Sequence, residues 1–186
     1  MTNRVSNSVV PLLQYEDMNP EVREFVDARL QSGTRVTNMV KTLLYSMPSF
    51  KAMEFYPVRN ELQKIIGSRA VYFYCYAIST ENECLVCSTY HAKLLRDLEI
   101  RFDEFEFTEI EKVLIDYGRG LVNNANSIDA SIYDRLREQF SSEEIVLITT
   151  VGCKMIASNL FNEALKVDLD EYLFEVEFDK NILPAK

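Results

Sequence analysis

The chain of 186 residues carries 20 basic and 29 acidic residues, which gives a net charge of −9. With no Lys or Arg run to offset it, this charge opposes binding to nucleic-acid phosphates or to an anionic membrane surface. The length fits one domain, and a composition with 47% apolar residues, five Gly and five Pro is typical of a compact, helix-rich protein.

The N-terminal segment lacks an apolar stretch of signal-peptide length, and no run approaches the roughly 20 apolar residues of a membrane span. We therefore expect a cytoplasmic protein with no membrane partner and no nucleic-acid partner. Residues 1–16 are predicted to form a flexible arm, followed by a single helical domain over residues 17–186.

The first half of that domain shows helical patterns in succession. Asn19-Pro20 is typical of a helix start, since proline fits the first helical position. Residues 36–67 predict two helices separated at Met47-Pro48, because the residue before proline avoids helical angles. Residues 70–78 are rich in aromatic side chains and by themselves favour a strand.

The second half contains two capping boxes, Thr108-x-x-Glu111 and Ser141-x-x-Glu144, each of which predicts a helix start. A shorter helix over residues 129–140 lies between the two longer ones. The sequence as a whole predicts an all-α fold of seven or eight helices.

Two of the four cysteines and the only histidine lie together in the spacing Cys-x-x-Cys-x-x-x-His. In a helix from Glu83 to Leu98, Cys84, Cys87, Ser88 and His91 share an inward face with leucines. Residues three apart on a helix are neighbours, so the two thiols are spaced for a reversible disulfide. A helix N-terminus favours thiolate over thiol, and an imidazole one turn further on can relay a proton.

Two other interpretations of this motif stay open. Cysteine and an isolated buried histidine are often simple core residues. Zinc is the second alternative, because the motif supplies three ligands and Cys75 or Cys153 would be needed as the fourth. We favour a redox pair without metal or cofactor, with Cys75 and Cys153 as buried structural thiols.

The spacing resembles that of the carboxymuconolactone decarboxylase superfamily, specifically its alkylhydroperoxidase D-like branch. Ser79 and Asn82 before the first cysteine, and the segments SSEEIVLI and LFNEALKVDLDE, are also similar to that family. The resemblance covers residues 36 to about 173. It implies an all-helical fold in which residues 70–78 form a helix, assembled as a homo-oligomer, often a trimer or hexamer.

The resemblance also implies an activity, since enzymes of this branch reduce hydroperoxides through the cysteine pair. Carried onto this chain, Cys87 would be the peroxidatic thiolate, Cys84 the resolving thiol and His91 part of the proton relay. Oxidation of a thiolate to a sulfenic acid, closure to a disulfide and reduction by an external dithiol protein would complete the cycle.

One position departs from the family pattern. The family usually has a glutamate twelve residues before the first cysteine, where this chain has Tyr72. A phenol with a reference pKa near 10 is a poor general base at neutral pH, so we expect weakened peroxidase activity. Glu83 and Ser88, with Tyr72, are the remaining candidates to relay protons or line the site.

Two alternative functions remain from the sequence. One is a lactone decarboxylase or isomerase that works by proton transfer, as the superfamily name implies. The other is a non-catalytic oligomer in which the cysteine pair senses oxidation.

Overall fold

The computed structural model describes residues 6–98, 105–176 and 183–184, and these residues contain helices and no strand. The predicted all-α class is confirmed. The α-helices in the described residues are α1 (Pro20–Gln31), α2 (Asn38–Leu43), α3 (Met47–Met53), α4 (Tyr56–Ile66), α5 (Ser68–Glu81), α6 (Leu85–Arg96), α7 (Glu109–Asn124), α8 (Ala130–Gln139) and α9 (Ser142–Leu165). Short 3-10 turns occupy Tyr15–Asp17, Ala125–Ser127 and Glu171–Leu173.

The helix starts predicted from capping residues are confirmed. Asn19 Oδ1 accepts a hydrogen bond from the Val22 N–H at 3.0 Å, ahead of Pro20 at the first helical position. Both capping boxes close in both directions: each hydroxyl accepts from an amide of the first turn, and each glutamate accepts from the backbone of the cap. These bonds satisfy amides that the helix itself leaves without partners.

The segment over residues 36–67 forms three helices where the sequence predicts two. Pro48 lies in the first turn of α3, as expected, and Pro57 lies in the first turn of α4. Because proline has no N–H to continue the hydrogen bonds of a preceding helix, Pro57 starts a new helix rather than kinking one. The described residues therefore hold nine α-helices.

The aromatic run over residues 70–78 is a helix, as the resemblance implies, and it forms the centre of the fold. Helix α5 contacts α4, α6, α7 and α9. From Ala70 to Ser79 every side chain except that of Tyr72 is buried. Burial on all sides stabilises this helix against the strand preference of its aromatic residues.

Helix α9 is long and apolar enough to cross a membrane by length and composition alone, which the sequence analysis did not anticipate. A core helix passes the same test, and α9 contacts six other helices, α3 to α8. It contributes Ile148, Val151 and Met155 to the main hydrophobic core.

The C-terminal end of α9 also receives the N-terminal segment. The Val9 N–H donates to the Leu165 carbonyl at 2.9 Å, and Leu13 is buried. Of the predicted arm, residues 1–5 lie outside the described residues, as do residues 99–104, 177–182 and 185–186 of the predicted domain. The division into arm and domain stays a prediction.

Candidate active site

A tight turn between α5 and α6 places the cysteine pair. Glu83 adopts a left-handed backbone angle, φ 56°, and the Cys84 N–H donates to the Ser79 carbonyl at 3.0 Å. Helix α6 starts at Leu85, two residues later than predicted, so Cys84 is the N-cap residue and Cys87 lies in the first turn. Both cysteines are free thiols and both are buried.

The two thiols form a hydrogen-bonded pair. The pKa of Cys84 is lowered, chiefly by a hydrogen bond from the Cys87 thiol, although burial opposes this shift. The pKa of Cys87 is raised, chiefly by the same bond and by burial, while the Asn162 side chain opposes this shift by donating to Cys87 Sγ at 3.2 Å. The bond therefore favours the thiolate on Cys84 over the thiolate on Cys87, and the coupled pair resists a second negative charge.

The imidazole of His91 is oriented by the same turn of helix. Its Nδ1 lies 2.9 Å from the Cys87 carbonyl oxygen, and burial lowers the pKa of His91 to about 3, so the ring is neutral near pH 7. Because a carbonyl can only accept, Nδ1 carries the proton and Nε2 carries the free lone pair. Nε2 is buried and has no hydrogen-bond partner in the described part of the chain. His91 Nε2 is therefore a free hydrogen-bond acceptor.

A cavity of about 100 Å³ opens onto Cys87 and His91 but not onto Cys84. Its wall comes from α1 to α4, α6, α9 and the Glu171–Leu173 turn, and most of its lining surface is apolar. The apolar lining residues are Met39, Val40, Leu43, Phe50, Met53, Phe55, Val86, Met155 and Leu173. Cys87 is therefore the sulfur that a small molecule in the cavity can reach.

Of the six site residues predicted from the sequence, the structure brings together Cys84, Cys87 and His91. Tyr72 is partly buried against a separate cluster that contains Phe73 and Leu95, and it does not line the cavity.

The other two predicted residues also lie away from the cavity. Glu83 is exposed, because its left-handed turn directs the chain away from α5 before α6 begins. The Ser88 hydroxyl donates to the Leu85 carbonyl at 3.2 Å, so its bonding capacity is used within α6. The placement of Tyr72, Glu83 and Ser88 thus gives no support to a proton-relay role.

Three functional candidates were missed by the sequence analysis: Asn162, Glu163 and Arg59. Glu163 on α9 lies beside Cys84, where a hydrogen bond between them works against the lowered pKa of that thiol. Asn162 and Glu163 belong to the LFNEALK segment, which the resemblance singled out without assigning roles. Arg59, which lines the cavity, had no signal in the sequence beyond its place in an amphipathic helix.

The remaining cysteines differ from each other. Cys75 is buried, as predicted, and burial raises its pKa to about 12, which makes it a poor nucleophile. Cys153 is exposed, so its prediction as a buried thiol is wrong, because it lies on the face of α9 that points away from the core. Within residues 6–98, 105–176 and 183–184, no group of three or more His, Cys, Asp or Glu residues is arranged to hold a metal ion.

No protein-family model and no curated protein matches this sequence. Solved structures do match. The alkylhydroperoxidase AhpD core of an uncharacterized peroxidase-related protein from Ralstonia eutropha JMP134 is 18% identical, with a TM-score of 0.70 over 92% of this chain and 96% of that one. The chain has the AhpD-core fold.

Two further structures share this fold. An uncharacterized peroxidase-related protein from Silicibacter sp. TM1040 is 16% identical, with a TM-score of 0.71 over 94% of this chain and 98% of that one. A protein of unknown function from Agrobacterium tumefaciens, described as a candidate antioxidant defence protein AhpD, is 22% identical, with a TM-score of 0.53 over 68% of this chain and 93% of that one. The predicted resemblance is thus confirmed for the AhpD-core fold.

Proposed function

We propose that this protein is a thiol-dependent antioxidant enzyme that reduces hydroperoxides through Cys84 and Cys87. The observation that carries the proposal is the position of Cys87, which bonds to Cys84 and Asn162 and faces a small cavity shared with the free Nε2 of His91. The peroxidase-related proteins with the same fold add support.

The first step is attack by the Cys87 thiolate on the outer oxygen of a hydroperoxide. The Cys84 sulfur, which accepts a hydrogen bond from the Cys87 thiol, is at hand to take the Cys87 proton, and His91 Nε2 is a free hydrogen-bond acceptor in the same site. As the S–O bond forms, the O–O bond breaks, and the leaving alkoxide takes a proton to become an alcohol. Cys87 is left as a sulfenic acid, oxidised by two electrons.

The second step joins the two sulfur atoms. Cys84 attacks the sulfenic sulfur, the S–S bond forms, and the sulfenic oxygen leaves as water with the Cys84 proton. Glu163 supplies a carboxylate beside Cys84 that can relay this proton to the leaving oxygen, although the family glutamate is replaced by Tyr72. An external dithiol protein then returns two electrons and two protons to the pair.

The cellular setting belongs to the same proposal. We expect a cytoplasmic location, because a reducing compartment keeps such a pair in its dithiol form between turnovers. We also expect a homo-oligomer, a trimer or hexamer. The physiological reductant would be a protein that presents two adjacent thiols.

Counting thiols after a stoichiometric hydroperoxide pulse tests the proposal. A Cys153→Ser background removes the exposed thiol, which would react independently. In that background we expect two thiols lost per chain, one lost with a trappable sulfenic acid in Cys84→Ser, and none lost in Cys87→Ser. Cys75→Ser is the matched control, and it should still lose two.

Two results would count against the proposal. Equal thiol loss in the Cys87→Ser variant would show that another sulfur reacts. Oxidation that occurs once and cannot be reversed by any dithiol donor would favour the redox sensor over the enzyme.

A further inference from the structure

The Arg59 side chain on α4 is buried, with 8% of its surface exposed, and it lines the same cavity as Cys87. Its Nε and Nη1 are buried and have no hydrogen-bond partner among the described residues. Its Nη2 makes one long contact, 3.4 Å, with Asn60 Oδ1. A buried guanidinium with free donors is costly unless an acceptor occupies the space in front of it.

A second arginine lies close by. Arg29 on α1 lines the cavity too, and its Nη2 is also buried without a partner in the described residues. The guanidinium carbons of Arg59 and Arg29 lie 4.5 Å and 5.0 Å from the centre of the Tyr56 ring. Two cations on one ring repel each other, so this end of the cavity favours an anion.

No carboxylate of the described residues neutralises these arginines. Asp170 and Glu54 line the cavity, yet neither lies within 4.0 Å of a guanidinium nitrogen of Arg59 or Arg29. Asp170 accepts from the Asn38 N–H at 2.9 Å and faces Lys41 and Arg35 instead. The positive charge of the two arginines is thus available to a ligand.

The rest of the cavity wall determines which group the ligand carries besides its anion. Its lining is mainly apolar, and its volume of about 100 Å³ limits the enclosed part of a ligand to a few carbon atoms, since an engineered apolar cavity of about 150 Å³ binds one benzene. We propose that the cavity binds a small organic hydroperoxide that carries a carboxylate, with the carboxylate on Arg59 and the hydroperoxide group toward Cys87. This inference rests on the proposed peroxidase function for its reacting group.

The Arg59 side chain has the geometry to recognise a carboxylate. The planar guanidinium of Arg59 presents its free donors in a fork that matches a carboxylate. An apolar carbon skeleton would fill the space between Arg59 and Cys87, and His91 Nε2 would be available as a hydrogen-bond acceptor.

Calorimetric binding of 3-methylbutanoate, a carboxylate that cannot oxidise thiols, tests the anion site without catalysis. We expect wild type to bind 3-methylbutanoate and to bind the neutral 3-methylbutanamide at least about tenfold more weakly. Arg59→Met should weaken the acid by about 10- to 100-fold, as expected for loss of hydrogen bonds to a charged group. Arg59→Lys should recover part of the affinity.

A matched pair of hydroperoxides tests the reacting group. Tert-butyl hydroperoxide and 3-hydroperoxy-3-methylbutanoate differ by the carboxylate, and the second should oxidise Cys87 faster in wild type. In Arg59→Met, the ratio of the two oxidation rates should fall toward one, whatever the absolute rates are.

Equal binding of acid and amide by wild type would overturn the inference, and that comparison needs no variant to fold. Tighter binding of inorganic phosphate than of 3-methylbutanoate would also overturn it, because a general anion site needs no apolar body. Arg59-dependent binding of the acid without oxidation of Cys87 by either hydroperoxide would preserve the carboxylate site and refute the peroxidase function.

Discussion

His91 is the only histidine of the chain, and its environment fixes its protonation state. Burial lowers its pKa to about 3, while in the unfolded chain the ordinary value of about 6.5 applies. Between these two values the unfolded state binds a proton that the folded state does not bind. Folding is therefore linked to pH through this one imidazole.

The free energy of unfolding should consequently fall as the pH drops from about 7.5 to about 5. The loss from His91 is about 2 kcal/mol, because each pH unit below 6.5 costs at most about 1.4 kcal/mol. Urea unfolding of wild type and His91→Gln at both pH values checks this. The variant should lack this part of the loss, whereas an identical pH dependence in both proteins would contradict a buried neutral His91.

At the level of the helices, α5 and α9 pack closely against each other at a glycine of α9, Gly152. A methyl group on Gly152 would overlap the Tyr74 hydroxyl and would come within 2.7 Å of Leu121 Cδ1. The Tyr74 hydroxyl cannot move away freely, since it donates to the Ile148 carbonyl at 3.1 Å. Gly152 thus permits the two central helices to pack.

Gly152→Ala should therefore lower the free energy of unfolding by about 2 kcal/mol, since overpacking outweighs the gain of about 1 kcal/mol in helix propensity. Glu138→Ala, at an exposed position on α8, is the control and should stay within about 0.5 kcal/mol of wild type. Urea unfolding gives both values. A Gly152→Ala protein as stable as wild type would show that α5 and α9 are not in close contact.

The elements differ in how far the sequence predicts them. Asn19, Thr108 and Ser141 satisfy amides within three residues of themselves, so the helices they open were predicted correctly. The turn at Glu83 was not, because a left-handed residue other than glycine leaves no local signal. Helix α5 required the family resemblance, since its stability comes from four neighbouring helices.

In the candidate site, too, the sequence predicts the residues that are close together in the chain and misses those that come from distant helices. Cys84, Cys87 and His91 lie within eight residues, and local helical geometry was enough to predict that they meet. Arg59 and Asn162 reach the site from α4 and α9 through long-range packing, which spacing in the sequence does not encode.

At the level of the whole molecule, we expect the exposed face of α9 to contact another subunit of the predicted homo-oligomer. Val146 and Leu160 are 66% and 61% exposed on this face, and Thr150, Cys153 and Ala157 between them carry no charge. An apolar stripe along a helix is typical of a surface that contacts another subunit.

Sedimentation velocity should show wild type as a trimer or hexamer, and the Val146→Glu/Leu160→Glu double variant should shift toward monomer. Buried carboxylates at a subunit contact would cost several kcal/mol. Leu30→Glu, at a comparably exposed apolar position on α1, should leave the assembly unchanged. A monomeric wild type, or an equal shift in Leu30→Glu, would contradict a contact through α9.

The solitary imidazole of this chain has a spectroscopic consequence. Histidine labelled with nitrogen-15 would give a single pair of ring resonances, free of overlap from any other residue. One nitrogen of that pair bonds to the Cys87 carbonyl, and His91 lines the cavity. Oxidation of the thiol or entry of a ligand can therefore be followed by magnetic resonance at one residue, without attaching a probe.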